Sequence, residues 1–191
     1  MKSILTVVLL ATALSTLAAE PPTVPPSMQA KATMCNGTYA LCIMAPCLKP
    51  APNSLAPCEC VIQTGWNMGP NACEDRTPQK LTSTYSNNFN NCNRLLTCPA
   101  PTDWAWCYGA ACEANPKDPK LATCHCPVIT SGTVLLVKPD NCMKGNAPCR
   151  TVWSGALAAE SAFANNHYYN WMSEHGYHAD PPAVACPATH E

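Results

Sequence analysis

Charge is what this chain has least of. Only 12% of its 191 residues are Asp, Glu, Lys or Arg, against about 25% in an ordinary soluble domain. Eleven basic and twelve acidic residues nearly cancel. A phosphate backbone or an anionic membrane surface is held by clustered Lys and Arg, so nucleic acid is not an expected partner. Apolar runs are scarce too. None reaches the roughly 20 residues that span a bilayer, and no transmembrane segment is expected. Common catalytic signatures are missing: there is no Gly-x-Ser-x-Gly elbow, no Gly-rich phosphate loop and no His-Glu-x-x-His. No catalytic residue and no cofactor site is assigned on sequence grounds. Asp103, Glu113, Asp118 and Asp140 are scattered and read as solvated loop charges.

What is present begins at the N-terminus. Residues 1–18 carry Lys2, an apolar run from Ile4 to Leu17, and small residues at Thr16, Ala18 and Ala19. This is the pattern of a secretory signal peptide, and it predicts a secreted or periplasmic protein. Residues 19–33, with Pro21, Pro22, Pro25 and Pro26, read as an extended Pro-rich leader. Export decides how the fifteen cysteines are read. Outside the reducing cytosol, disulfides are the default.

The cysteines form a ladder that occurs twice. Cys35, Cys42, Cys47, Cys58, Cys60 and Cys73 are followed by Cys98, Cys107, Cys112, Cys124, Cys126 and Cys142. Other residues keep the same register: Tyr39-Ala40-Leu41-Cys42 matches Trp104-Ala105-Trp106-Cys107, Leu55-Ala56-Pro57-Cys58 matches Leu121-Ala122-Thr123-Cys124, and Tyr85-Ser86 is matched with Trp153-Ser154. Such self-similarity marks a duplicated unit. It predicts three disulfides within each unit, the same connectivity in both, and no crosslink between them. Cys92, Cys149 and Cys186 fall outside the ladder. A Cys149–Cys186 bridge closing the C-terminal tail onto the body is favoured, which leaves Cys92 as a free thiol. The alternative leaves Cys186 unpaired and able to link a dimer.

The fold class expected is a small disulfide-rich α+β protein of two tandem repeats, 34–92 and 93–154, followed by a C-terminal helix and tail, 155–191. Ala-rich segments Tyr39 to Cys47 and Trp104 to Cys112 predict a short helix in each repeat. The Cys-x-Cys runs that follow predict strands, with Cys58 and Cys60 on one face and Cys124 and Cys126 on one face. Val128-Ile129, a Gly132 turn and Val134 to Val137 predict a hairpin. A long helix is predicted from a Ser154 N-cap to a Gly176 stop, with Leu157, Phe163 or Ala164, His167 and Trp171 near one face.

A Tyr-Ala-x-Cys-x-x-Ala-x-Cys segment, a Cys-x-Cys-Pro-Val segment and a Tyr/Trp-Ser segment are carried by Tyr39 to Cys47 and Trp104 to Cys112, by Cys58 to Ile62 and Cys124 to Ile129, and by Tyr85-Ser86 and Trp153-Ser154. In these the chain resembles uncharacterised secreted cysteine-rich bacterial proteins. The resemblance implies the duplicated architecture and no activity. Three functions follow from the residues. The first is a non-enzymatic binding protein that meets an unknown protein or surface ligand through exposed loops and the aromatic tail. The second is a Cu- or Zn-handling protein with His175 and His178 as ligands and Glu174, Asp180 or His125 as a third. The third is an enzyme of a type that no motif reveals. Asn36-Gly37-Thr38 is a glycosylation sequon.

Overall fold

A computed structural model describes residues 32–178, except 44, 52–53, 78–79, 88–92, 99, 131–132 and 140–146. The expected signal peptide and most of the leader, with Cys92, Cys142 and Cys186, lie outside the described residues. Within them the protein is small and disulfide-rich, with several antiparallel sheets, six disulfides and a C-terminal helix.

The central sheet has four strands in the order β1 (Thr33–Leu41), β2 (Ala56–Gly69), β6 (Asp118–Cys126), β5 (Cys112–Asn115). At its middle β2 meets β6 in antiparallel register, with Ala56 opposite Cys126, Cys58 opposite Cys124 and Cys60 opposite Ala122. The register reads the same from either strand. Side chains alternate across a strand, so Ala56, Cys58, Cys60, Ala122, Cys124 and Cys126 share the inner face, where each is at most 1% exposed. Glu59, Val61, Thr123 and His125 face solvent on the other side.

Four disulfides fill the space beneath that face: Cys42–Cys60, Cys47–Cys58, Cys107–Cys126 and Cys112–Cys124. Cys47–Cys58 and Cys112–Cys124 each span a Cα separation of 4.0 Å, the distance of directly opposed residues on neighbouring strands. The sulfur of Cys124 lies within 4.8 Å of those of Cys42 and Cys60, and the sulfur of Cys107 is as close to those of Cys47 and Cys58. Two further bonds, Cys35–Cys73 and Cys98–Cys149, hold the outer strands. Cys149 is therefore joined to Cys98, and the expected Cys149–Cys186 bridge does not form. The partner of Cys98 comes from the 3-10 turn Ala147–Arg150, outside the second ladder, so the expected equal connectivity of the two ladders fails at this bond, whose counterpart in the first is Cys35–Cys73.

Backbone hydrogen bonds also occur in corresponding pairs. Ala40 N–H donates to Thr82 and Ala105 N–H to Trp153; Ser154 N–H donates to Ala45 and Ser83 N–H to Ala110; Cys47 N–H donates to Val152 and Cys112 N–H to Leu81. The segment at Leu81–Thr84 thus lies between Ala40 and the later Ala110–Cys112 turn, while Val152–Gly155 lies between Ala105 and the earlier Ala45–Cys47. These bonds align Thr82-Ser83, not Tyr85-Ser86, with Trp153-Ser154. Each half's segment crosses to the other half, and one core of buried cysteine and alanine serves both.

Where β1 and β2 form one continuous ladder, the later part of the chain forms two. β4 (Trp104–Ala105) pairs with β7 (Val128–Ile129) in the register that Tyr39–Ala40 keeps with Ile62–Gln63. β3 (Asn93–Cys98) pairs with β8 (Val134–Pro139), which also pairs with β9 (Ala156–Leu157). This corrects the expected hairpin: β7 and β8 pair with β4 and β3, not with each other, because strand partners are drawn from distant segments of the chain. The two short helices are also absent. Tyr39 to Leu41 complete β1 and are buried, and Trp104–Ala105 is strand, so pairing on both edges overrides a weak alanine preference for helix.

The helix, α1, runs over Ala158–Glu174. Ser154 does not cap it, being buried in the bridge to Ala105, and the helix starts after Leu157 without a side-chain cap. Ala164, Tyr168 and Met172 form its buried face, one residue round from the expected stripe. It closes as predicted at Gly176, whose φ of +73° suits a residue without Cβ. Gly176 N–H donates to Ser173 and Tyr177 N–H to Met172, the double bond of a Schellman stop. Gly155 is needed for a different reason. A Cβ there would lie 2.6 Å from Val134 Cγ2 and 2.7 Å from Leu136 Cδ2.

Arg76 ties the open end of the β1–β2 ladder. Its Nη2 donates to the carbonyls of Thr33, Gly69 and Asn71, its Nη1 to Asn67 Oδ1, and its Nε to Asn71. Loss of a charged donor that serves partly buried carbonyls costs about 2 to 3 kcal/mol, so Arg76→Ala should lower unfolding free energy by about that amount in urea titrations. Replacing Cys47 and Cys58 by Ala, or Cys112 and Cys124, releases loops of nearly equal length, 11 and 12 residues of separation. Each double variant should lose about 3 kcal/mol, and a large inequality between them would show that the two bonds are not equivalent.

Candidate functional site

The end of α1 lies against β2 through aromatic rings. The Trp66 centroid is 4.7 Å from that of Trp171 and 4.8 Å from that of Tyr177. His175 stacks on Trp171 at 3.9 Å with 15° between planes, and its Nδ1 lies 2.8 Å from the Trp171 carbonyl oxygen. Tyr168, one turn earlier and buried, donates from its hydroxyl to the Trp66 carbonyl. Asn87 donates its amide to the Tyr169 hydroxyl. Helical spacing puts Tyr168, Trp171 and Met172 along one side, and the turn at Gly176 folds Tyr177 back onto the same cluster. Trp66 and Trp171 are partly exposed and Tyr177 is 44% exposed, so the cluster has a solvent-facing side.

The same geometry bears on the histidines. The expected ligands His175 and His178 are both exposed. His175 spends one ring face on Trp171, and His125 lies on the outer face of β6, exposed there. Among the described residues, the groups of three ligand atoms close enough for one ion are Cys42, Cys60 and Cys124, and Cys47, Cys58 and Cys107. All six are disulfide-bonded, and a metal needs free thiolates. Asp180 lies outside the described residues.

Behind the cluster stand further phenols, Tyr39 buried and Tyr85 and Tyr108 partly buried. Tyr39 is 1% exposed and donates to Gln63 Oε1 at 3.0 Å. Burial pushes its pKa up to about 12, with the Ser86 hydrogen bond pulling the other way and Tyr168 adding to the rise. Tyr85 and Tyr108 are held well above the ordinary phenol value by burial, an effect that nearby Arg76 reduces for Tyr108. A cavity of about 70 Å³ opens where corresponding residues meet, Cys42 beside Cys107 and Ser83 beside Ser154. Small-molecule pockets measure roughly 300 Å³ or more, so this one has room for little more than water.

Sequence reasoning pointed to the aromatic tail but missed Trp66. Its signal was available only as a single Trp in a polar strand, with nothing to link it to residues more than a hundred positions later. The chain matches no protein-family model, no curated protein and no solved structure. No helix among the described residues is long and apolar enough to cross a membrane.

A phenol whose pKa is raised by folding favours the native state below its unfolded value and ceases to do so as pH climbs towards the native one. For Tyr39 that interval runs from 10.0 to about 12. Stability measured by urea midpoints should be flat just below pH 10 and fall above it, with Tyr39 contributing about 2 to 3 kcal/mol of the fall. Tyr39→Phe should lose less over the same interval.

Proposed function

We propose that this is an exported, disulfide-stabilised protein, secreted or periplasmic, that acts by binding and not by catalysis. Its framework is a duplicated cysteine unit, and its contact surface is the solvent-facing side of the Trp66, Trp171, Tyr177 and His175 cluster. The observation that carries this reading is the pairing of that cluster with a covalently closed body. Aromatic side chains dominate the centres of binding surfaces, and a surface held rigid beforehand loses little entropy when a partner arrives.

Other features support parts of the reading. Twelve cysteines in six bonds fit an oxidising compartment, as does the apolar N-terminal run. The matched hydrogen bonds and the equivalent disulfide pairs 42–60 with 107–126 and 47–58 with 112–124 support duplication.

Expressed with its own N-terminus and carrying a photo-crosslinking residue in place of Tyr177, the protein should be recovered in oxidised form outside the cytosol and give a discrete adduct on illumination. The same residue in place of Lys117, exposed in the β5–β6 turn, should give none. Adducts from both positions, or from neither, would overturn the aromatic surface. Recovery as a reduced cytosolic protein would overturn export.

A further inference from the structure

The two halves of the chain differ most at three places, and all three border one depression. β3 and β4 are parted between Cys98 and Trp104, where β1 is continuous. β7 and β8 are parted between Ile129 and Val134, where β2 is continuous. The third is the turn Ala147–Arg150, which supplies Cys149 to Cys98. The first contributes Thr102 and Asp103, the second Thr130, and the third leads into Arg150 and Thr151; Lys49 of the earlier half completes the rim. The cavity measures about 520 Å³, well inside the range of roughly 300 to 1,000 Å³ for small-molecule sites. Departures from a repeated pattern are where function is expected to show, and here three of them converge.

The lining mixes the apolar surface of Pro101, Cys149 and Val152 with charged and hydroxyl side chains, and its charged members among the described residues are Lys49, Arg150 and Asp103. Lys49 Nζ lies 3.7 Å from Asp103 Oδ2, and the Thr130 hydroxyl donates to Asp103 Oδ1 at 2.8 Å. The Lys49 side chain is 79% exposed, so its ion pair is weak and its ammonium can turn to another anion. Arg150 adds a second cation, and among the described residues Asp103 is the one carboxylate in the lining. A guanidinium meets a carboxylate through two parallel hydrogen bonds. Asp103 accepts from hydroxyls, as Thr130 already shows, and the Thr151 hydroxyl on the same rim accepts from Trp153 Nε1.

We propose that this depression binds a small hydroxycarboxylate, its carboxylate on Arg150 and Lys49 and its hydroxyls on Asp103 and the threonines. The site is separate from the aromatic cluster and does not depend on it. Calorimetry on the intact oxidised protein tests it with three probes: gluconate, the neutral polyol sorbitol, and inorganic phosphate. Gluconate should bind one to one, with affinity falling as salt rises, and about tenfold or more tighter than either of the others. Arg150→Gln and Asp103→Asn should each weaken gluconate about tenfold, while Lys117→Gln, exposed in the β5–β6 turn, leaves it unchanged. Both altered residues in the depression are surface side chains, and retained circular dichroism would show that the fold survives. No saturable gluconate binding, equal binding of sorbitol or phosphate, or full affinity in Arg150→Gln would each overturn the proposal.

Discussion

The pairing of β2 with β6 around Cys58 and Cys124 is the constraint on which the rest depends. Because that register is the same read from either strand, it sets two Ala and four Cys side chains in one small buried layer. Alanine leaves room, and sulfur fills it. In this layer disulfides take the part that leucine and isoleucine play elsewhere, while Met68, Trp104, Ile129, Val134, Leu136 and Tyr168 pack in a second buried cluster. The outer strands, the helix and the loops are then attached to a centre that is already crosslinked.

This arrangement also explains where the surface features lie. The earlier part of the chain keeps one unbroken ladder, β1 with β2, and offers Trp66 on it. The later part pairs in two short ladders, β4 with β7 and β3 with β8, and Asp103, Thr130 and Arg150 beside them line a depression. The helix follows the later part and docks back on the earlier one, through Tyr168, Trp171 and Tyr177. Two surfaces of different chemistry, one aromatic and one charged, are thereby carried by a body in which neither half stands alone.

Much of this was legible in the amino-acid sequence, and the failures have physical reasons. The shared face of Cys58 and Cys60 and the Gly176 stop follow from strand alternation and backbone freedom, which are local. The helices expected at Tyr39 to Cys47 and Trp104 to Cys112 failed because alanine's preference is small beside the pairing of both strand edges. The hairpin at Val128 to Val137 failed because strand partners are chosen over long separations. Cys149 was assigned to Cys186, and Ser154 to a helix cap, for want of any local sign that Cys98 and Ala105 would claim them. Trp66 and the Asp103–Arg150 depression were out of reach for the same reason. Each is assembled from segments that meet only in the folded chain.

The crossing of Leu81–Thr84 and Val152–Gly155 has a consequence for the order in which the molecule can be made. Cys42–Cys60 and Cys47–Cys58 lie early and can close as soon as residue 60 has emerged. The Ala45 carbonyl and the Cys47 N–H, however, are answered by Ser154 and Val152, and Leu81 and Ser83 by residues from 109 onward. An emerging chain therefore holds a crosslinked but unfinished half, with open backbone groups waiting for sequence not yet synthesised. Completion is a property of the last part to arrive, and a chain cut short before Val152 would leave both halves incomplete.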